Sequence, residues 1–164
     1  FNADEEVGKL YKKDKKIFKK LKKILPKYIN SFPINKNEIT NAILSNKNNL
    51  KKIIRVIHLE VRKKLNIFLK KNKNKKIIIL DIPLLLENKI NNKNDILIFV
   101  EANKFNIIKR LKKRENFNQK LINMFKKIQL SLVYKKRISQ FVIANNFTKK
   151  SVKKDIKVIL SKIL

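Results

Sequence analysis

The stretch that decides the fold is Ile77–Asn88, IIILDIPLLLEN. Four apolar residues run into Asp81; Ile82, Pro83 and three leucines follow, and Glu87 closes the run. A short continuous apolar run bounded by turn-formers predicts a strand buried on both faces, as in a parallel sheet. The expected strand covers Ile77–Ile82, with the Asp81 carboxylate near its end. Ligands of open α/β sheets bind at the carboxyl ends of the strands. The segment therefore points to both a fold class and the edge where chemistry sits.

Working outward, further strand-like runs stand at Ile96–Glu101 and Phe141–Ala144. Helical patterns separate them at Lys104–Arg114, Gln119–Gln129 and Leu130–Arg137, and Thr148 is placed to cap a last helix, Ser151–Leu164. Strands alternating with helices predict a parallel α/β sheet. Ahead of them the chain is helical. Residues 4–25 carry Val7, Leu10, Tyr11, Ile17, Phe18, Leu21, Ile24 and Leu25 at helical spacing, with Asp4 as a cap candidate before Glu5 and Glu6. Pro26 and Pro33 bracket a connector, and Asn37 or Thr40 opens a helix reaching Leu44. A long amphipathic helix runs from Asn48 to about Lys71, and the Asn/Lys tract that follows reads as a loop. Three central strands are few for an open sheet. That shortage, with Phe rather than Met at the first position, leads us to expect a fragment whose leading strand and phosphate-binding turn precede Phe1.

The bulk composition points elsewhere. Lys and Arg outnumber Asp and Glu by 43 to 12, a formal net charge of +31, which suggests nucleic acid or an anionic surface as partner. Yet 38 Lys, 22 Asn and 26 Ile make up 86 of the 164 residues, against 5 Arg and 1 Gly. These abundant residues are those of A/T-rich codons. The Lys is spread through every segment, whereas a dedicated polyanion binder clusters its charge and favours Arg. Weak, non-specific nucleic-acid binding is expected from charge alone. With no Cys, disulfides and thiolate metal sites are excluded, and with His58 as the single His neither a His-based zinc cluster nor a catalytic triad is expected. The absence of Cys fits a reducing cytoplasm, and no apolar run is long enough to span a membrane.

An ordered set of segments carries a resemblance. Asn2-Ala3-Asp4 and Leu10-Tyr11 come first, then His58 with Arg62. Asp81-Ile82-Pro83-Leu84-Leu85-Leu86-Glu87 and Asp95 with the strand after it follow. Arg110-Leu111, Arg114, Gln129 and Phe141–Asn145 complete the set. In order and spacing the chain resembles the dephospho-coenzyme A kinase family of the P-loop kinase fold. The resemblance implies an α/β three-layer domain over 1–164 with a central parallel sheet. It also implies a helical acceptor-binding part at 14–75, a core of 76–101 and 138–164, and lid-side helices at 103–137. The implied reaction is magnesium- and ATP-dependent phosphorylation of the ribose 3′-hydroxyl of dephospho-coenzyme A, the last step of coenzyme A synthesis. The chain departs from the family in having no glycine-rich loop ending in Gly-Lys-Ser/Thr, its single glycine being Gly8. Without that nest of N–H groups the chain as it stands is not expected to be an active kinase. Other departures are Asn2 for an Asp, Leu59 for a Pro, Ser139-Gln140 for Ala-Asp, and Asn146-Phe147 where a Gly usually follows the Asn.

Roles follow from the resemblance, each beside a plainer one. Asp4 is implied as the base that takes the acceptor hydroxyl's proton, a role compatible with capping a helix. Asp81 either holds Mg2+ through water or serves as a turn or cap residue. Arg110 and Arg114, two of only five Arg, are implied as the clamp on the transferring phosphate; the alternative is a solvated basic face. His58 and Arg62, Lys36, and Pro83 with Leu84 are implied on the acceptor side, although a helix histidine packing one element on another is the plainer reading of His58. Asn145 and Gln129 are implied near the ATP; as amides, both also suit caps or turns. Two other readings compete: a basic nucleic-acid-binding protein or pseudo-kinase, and another small-molecule or nucleotide P-loop kinase.

Overall fold

The computed structural model describes residues 1–115 and 117–164. It is a helix-rich α/β structure and divides into two compact units, Phe1–Pro83 and Leu84–Leu164.

The first unit is helical. Helices α1 (Ala3–Lys13) and α2 (Lys15–Ile24) occupy the region read as one continuous pattern. Asp14 divides it: its side chain accepts from the N–H groups of Lys16 and Ile17 and starts α2, at an extended φ of −98°. A short acidic side chain competes with the helix for backbone donors, which apolar spacing does not register. Helix α3 (Lys36–Ser45) is capped by Asn35, and α4 (Lys47–Lys71) by Asn46. Leu10, Ile17, Leu21 and Ile29 are almost completely buried, and Ile53, Ile57 and Leu65 of α4 join the same core. Burial pushes the Tyr11 phenol up to about 12.

The expected buried strand at Ile77–Ile82 does not form. Ile79 is 75% exposed, and regular pairing is limited to a parallel bridge between Asn2 and Asp81. An apolar run supplies the burial a strand wants, but a strand also needs a partner along its length. Among the described residues the partner is Phe1–Ala3: the Phe1 nitrogen donates to the Ile79 carbonyl at 2.7 Å, Asp81 N–H to Phe1 O at 2.8 Å, and Ala3 N–H to Asp81 O at 2.9 Å.

The second unit holds the sheet. Strand β1 (Ile98–Glu101) pairs in parallel with β2 (Phe141–Ala144), Ile98 opposite Phe141 and Glu101 opposite Ala144. The crossover between them carries α5 (Lys104–Lys112), α6 (Gln119–Ile128) and α7 (Leu132–Ile138). The expected parallel α/β arrangement is present, with two strands among the described residues rather than three. Gln140, where the resemblance predicted Asp, extends the ladder: its side-chain oxygen accepts from Leu97 N–H at 2.7 Å. Helix α8 (Lys149–Ile163) covers β2, with Ile159 and Ile143 both buried. Thr148 holds the N-cap position of α8 without a side-chain cap bond. Its hydroxyl is spent on Asn146 Oδ1, at 2.7 Å. Among the described residues no helix is long and apolar enough to cross a membrane.

Candidate functional site

In the first unit the site is built on the start of α1. Asn2 does two things at once. Its side-chain oxygen accepts from Glu5 N–H at 3.0 Å, capping α1, while its amide donates to Asp81 Oδ2 at 3.1 Å. The cap is therefore Asn2 and not Asp4, which lies within the first turn with its carboxylate exposed. Acidic side chains in that turn suit the positive end of the helix dipole. The Asn2 contacts bring the Ala3-Asp4 segment and Asp81 side by side. Helix α4 steadies the arrangement: Phe68 packs on Phe1 with ring centroids 5.5 Å apart, and Lys64 reaches Glu6 at 3.4 Å. Lys9 and Lys64 hold the Glu6 carboxyl below its ordinary range.

His58 lies on α4, half-buried. Burial, and then the neighbouring Arg62 guanidinium, lower its pKa, so it prefers to be neutral. Arg62 is exposed one turn further on, and Lys36 is exposed at the first position of α3. Pro83 closes the first unit. Leu84 opens the second in the left-handed region, φ 55°.

In the second unit, Arg110 and Arg114 line one cleft of about 400 Å³ together with Lys109 and Lys113. Helix α5 stops at Lys112, so Arg114 stands beyond it and not on a continuing helical face. Arg110 also lines a second cleft, of about 650 Å³, with Asn145, Phe147 and one side of α8. Its guanidinium lies 4.7 Å from the centre of the Phe147 ring. The structure thus joins Arg110, Arg114 and Asn145, predicted from separate segments. Gln129 lines neither cleft; it ends α6, exposed. Asn145 anchors its loop: its N–H donates to Glu101 O at 2.7 Å, and its side chain accepts from Phe147 N–H at 2.8 Å.

Glu87, quoted in the sequence but given no role there, proves to be an anchor. Its nearly buried carboxylate meets Lys135 at 2.6 Å and accepts from Leu130 N–H at 2.9 Å. Burial pushes its pKa up, but the Lys135 bond and the backbone donors outweigh this and hold it below the ordinary value. Within the second unit the segment around Glu87 is thereby fastened to the α6–α7 junction. Asn2 and Phe147 were legible only as departures from a pattern. For Asn2, an Asx residue immediately before an acidic first turn is itself a cap signal.

Among the described residues no group of three His, Cys, Asp or Glu side chains could hold a metal ion by itself. Magnesium keeps most of its waters and binds through one or two carboxylates and substrate phosphates, and Asp81 offers one exposed carboxylate of that kind. Asp81 is exposed and stands in the segment that adjoins Asp4.

Comparison with known proteins bears directly on this arrangement. A family model described as dephospho-CoA kinase matches residues 1–151. The chain is similar to the dephospho-CoA kinase of Wolbachia pipientis wMel, 31% identical over 165 residues, which cover 99% of this chain and 84% of the relative. The enzyme of the same name from Wolbachia sp. subsp. Brugia malayi (strain TRS) is also 31% identical, with the same coverage. That of Bartonella quintana (strain Toulouse) is 28% identical over 87% of this chain and 74% of the relative.

Proposed function

The chain belongs to the dephospho-CoA kinase family, and from that premise we propose how its residues serve ATP-dependent phosphorylation of the ribose 3′-hydroxyl of dephospho-coenzyme A. The observation that carries the reading is the pairing of Phe1–Ala3 with Ile79–Asp81. It sets Ala3-Asp4 beside Asp81, the residue that opens the Asp81–Glu87 segment of the resemblance.

Asp4 is the general base. Its carboxylate is exposed and is not the helix cap, because Asn2 does that work. It accepts the proton of the ribose 3′-hydroxyl as that oxygen attacks the γ-phosphorus, the bond to the β-phosphate oxygen breaks, and ADP leaves. Arg110 and Arg114 neutralise the transferring phosphoryl group; two rigid guanidinium forks beside one cleft suit its oxygens. Asn145 contributes to the nucleotide side through the second cleft, and Gln129 is assigned there by resemblance alone. Asp81 would hold magnesium through water, and a bound magnesium ion supplies charge neutralisation to the phosphates. The acceptor side is assigned to the helical part at 14–75 with Lys36, His58 and Arg62, and to Pro83 and Leu84. The core is 76–101 with 138–164, and the lid-side helices 103–137. The net charge of +31 adds a weak, salt-sensitive attraction for polyanions.

The test is to supply a glycine-rich strand–loop ending in Gly-Lys-Ser ahead of Phe1 and assay formation of the 3′-phosphorylated product. The reading predicts product from ATP and dephospho-coenzyme A. With Asp4→Asn, kcat falls by about 10²–10⁴ and thermal stability is unchanged. Undiminished turnover in Asp4→Asn would sink the base assignment; no product in the parent would sink the reading itself.

A further inference from the structure

Phe147 occupies a position where its backbone has every reason to prefer glycine. Its φ is 66°, in the left-handed region that a bulky side chain rarely adopts. Two asparagines hold the loop there. Asn145 Oδ1 accepts from Phe147 N–H at 2.8 Å, and Asn146 Oδ1 accepts from Thr148 N–H at 2.9 Å. The conformation brings the Phe147 ring to the guanidinium of Arg110 at 4.7 Å. Arg110 is otherwise a side chain on the exposed end of α5, with no acidic partner among the ion pairs of the described residues. A long cation held only by solvent samples many rotamers; ordering it at the moment of binding costs affinity. An aromatic face offers it a seat that leaves its N–H donors free, which a carboxylate partner would not.

We propose that Phe147 is the positioning residue for Arg110. It pre-orders the guanidinium on the shared rim of the two clefts, with its donors directed to the phosphates of a nucleoside triphosphate. The assignment rests on the kinase reading for the identity of the anion, and on the stacked geometry alone for the positioning. A ring at a left-handed position is kept here because the loop gains a fixed arginine. Val152, Ile156 and Leu160 of α8 line the same cleft, interleaved with Lys149, Lys153 and Lys157.

The experiment uses the chain as it is, with three variants: Phe147→Leu, Phe147→Tyr and Arg110→Ala. The Arg110 Nε proton is followed by NMR, and ATP and inorganic tripolyphosphate are titrated calorimetrically. In the parent and in Phe147→Tyr the ring current displaces the Arg110 resonance; in Phe147→Leu it returns to the ordinary position. Phe147→Leu weakens tripolyphosphate and ATP about fourfold, Phe147→Tyr restores both, and Phe147→Leu costs nothing further once Arg110 is Ala. An Arg110 resonance that does not respond to Phe147→Leu overturns the inference. So does a loss that adds to that of Arg110→Ala, since a merely structural Phe147 would behave that way. Binding of ATP no tighter than tripolyphosphate in the parent overturns the nucleoside triphosphate as the anion met by Arg110, while the resonance and the tripolyphosphate arm still decide the role of Phe147.

Discussion

The two units spend the same vocabulary of Ile, Leu and Lys differently. Of the 16 buried hydrophobic residues of the described chain, 14 lie in Phe1–Pro83 and only Ile143 and Ile159 in Leu84–Leu164. The large exposed hydrophobics run the other way: Leu59, Ile67, Ile77 and Ile79 in the first unit, against 17 in the second. In the first unit four helices bury their apolar faces on one another. In the second, two four-residue strands have α8 against β2, while Val100 of β1 and Val133 of α7 remain exposed. Of the two ion pairs described in the second unit, Glu87 with Lys135 is the better buried, and Glu87 also accepts from Leu130 N–H. The lesson is that apolar composition alone does not make a core; partnered faces do.

The sharpest way to break that contrast is a matched pair of truncations. Leu21→Ala should cost the first unit about 3 kcal/mol, because the fully buried side chain leaves a cavity among rigid helices. Ile159→Ala, in a thinly packed setting able to relax, should cost about half as much, near 1.5 kcal/mol. Denaturant midpoints followed unit by unit check this, and equal losses would dissolve the distinction. A second test is Glu87→Gln, which removes the charge from a nearly buried pair and should destabilise the second unit by about 2 kcal/mol. Hydrogen exchange at the Leu130 amide should accelerate accordingly, while exchange in α4 stays as it was.

The smallest effect separates the units by pH. The folded state holds His58 below its ordinary value of 6.5 through burial and Arg62. The unfolded chain therefore binds the proton first as pH falls, so the first unit loses stability from pH 6.5 downward until His58 itself is charged. Glu6 and Glu87 are held below 4.5, so their contribution is present above that pH and is lost only as pH falls below it. His58→Gln should abolish the upper step and leave the lower one. An unchanged upper step would remove His58 from the account.

Much of the helical content was legible because two signals agree: apolar residues at helical spacing, and short polar side chains at the starts. Asn, abundant enough to look like compositional drift, turns out to be placed. Asn2, Asn35, Asn46, Asn103 and Asn118 each cap a helix through a side-chain hydrogen bond. Phe141–Ala144 was read to the residue because its run is short, apolar and bounded. Ile77–Ile82 failed on the same signals, since pairing is a property of a partner and not of the run itself. At the site, Arg110 and Arg114 line one cleft, and Arg110 and Asn145 line another. Asn2 as cap left a local signal, an Asx residue just before an acidic first turn, although Asp4 was the cap expected; Phe147 as the seat of Arg110 was not legible. The latter depends on a contact distant in sequence and on a backbone angle that no pattern of residue types encodes.

The central claim, that this chain is built to receive dephospho-coenzyme A, can be tested most directly by thermal unfolding of the protein with candidate ligands. A ligand that binds only the folded state raises the transition temperature in proportion to its affinity. The account predicts stabilisation by dephospho-coenzyme A and none by nucleoside monophosphates at equal concentration. Stabilisation by nucleoside monophosphates with none by dephospho-coenzyme A would contradict it.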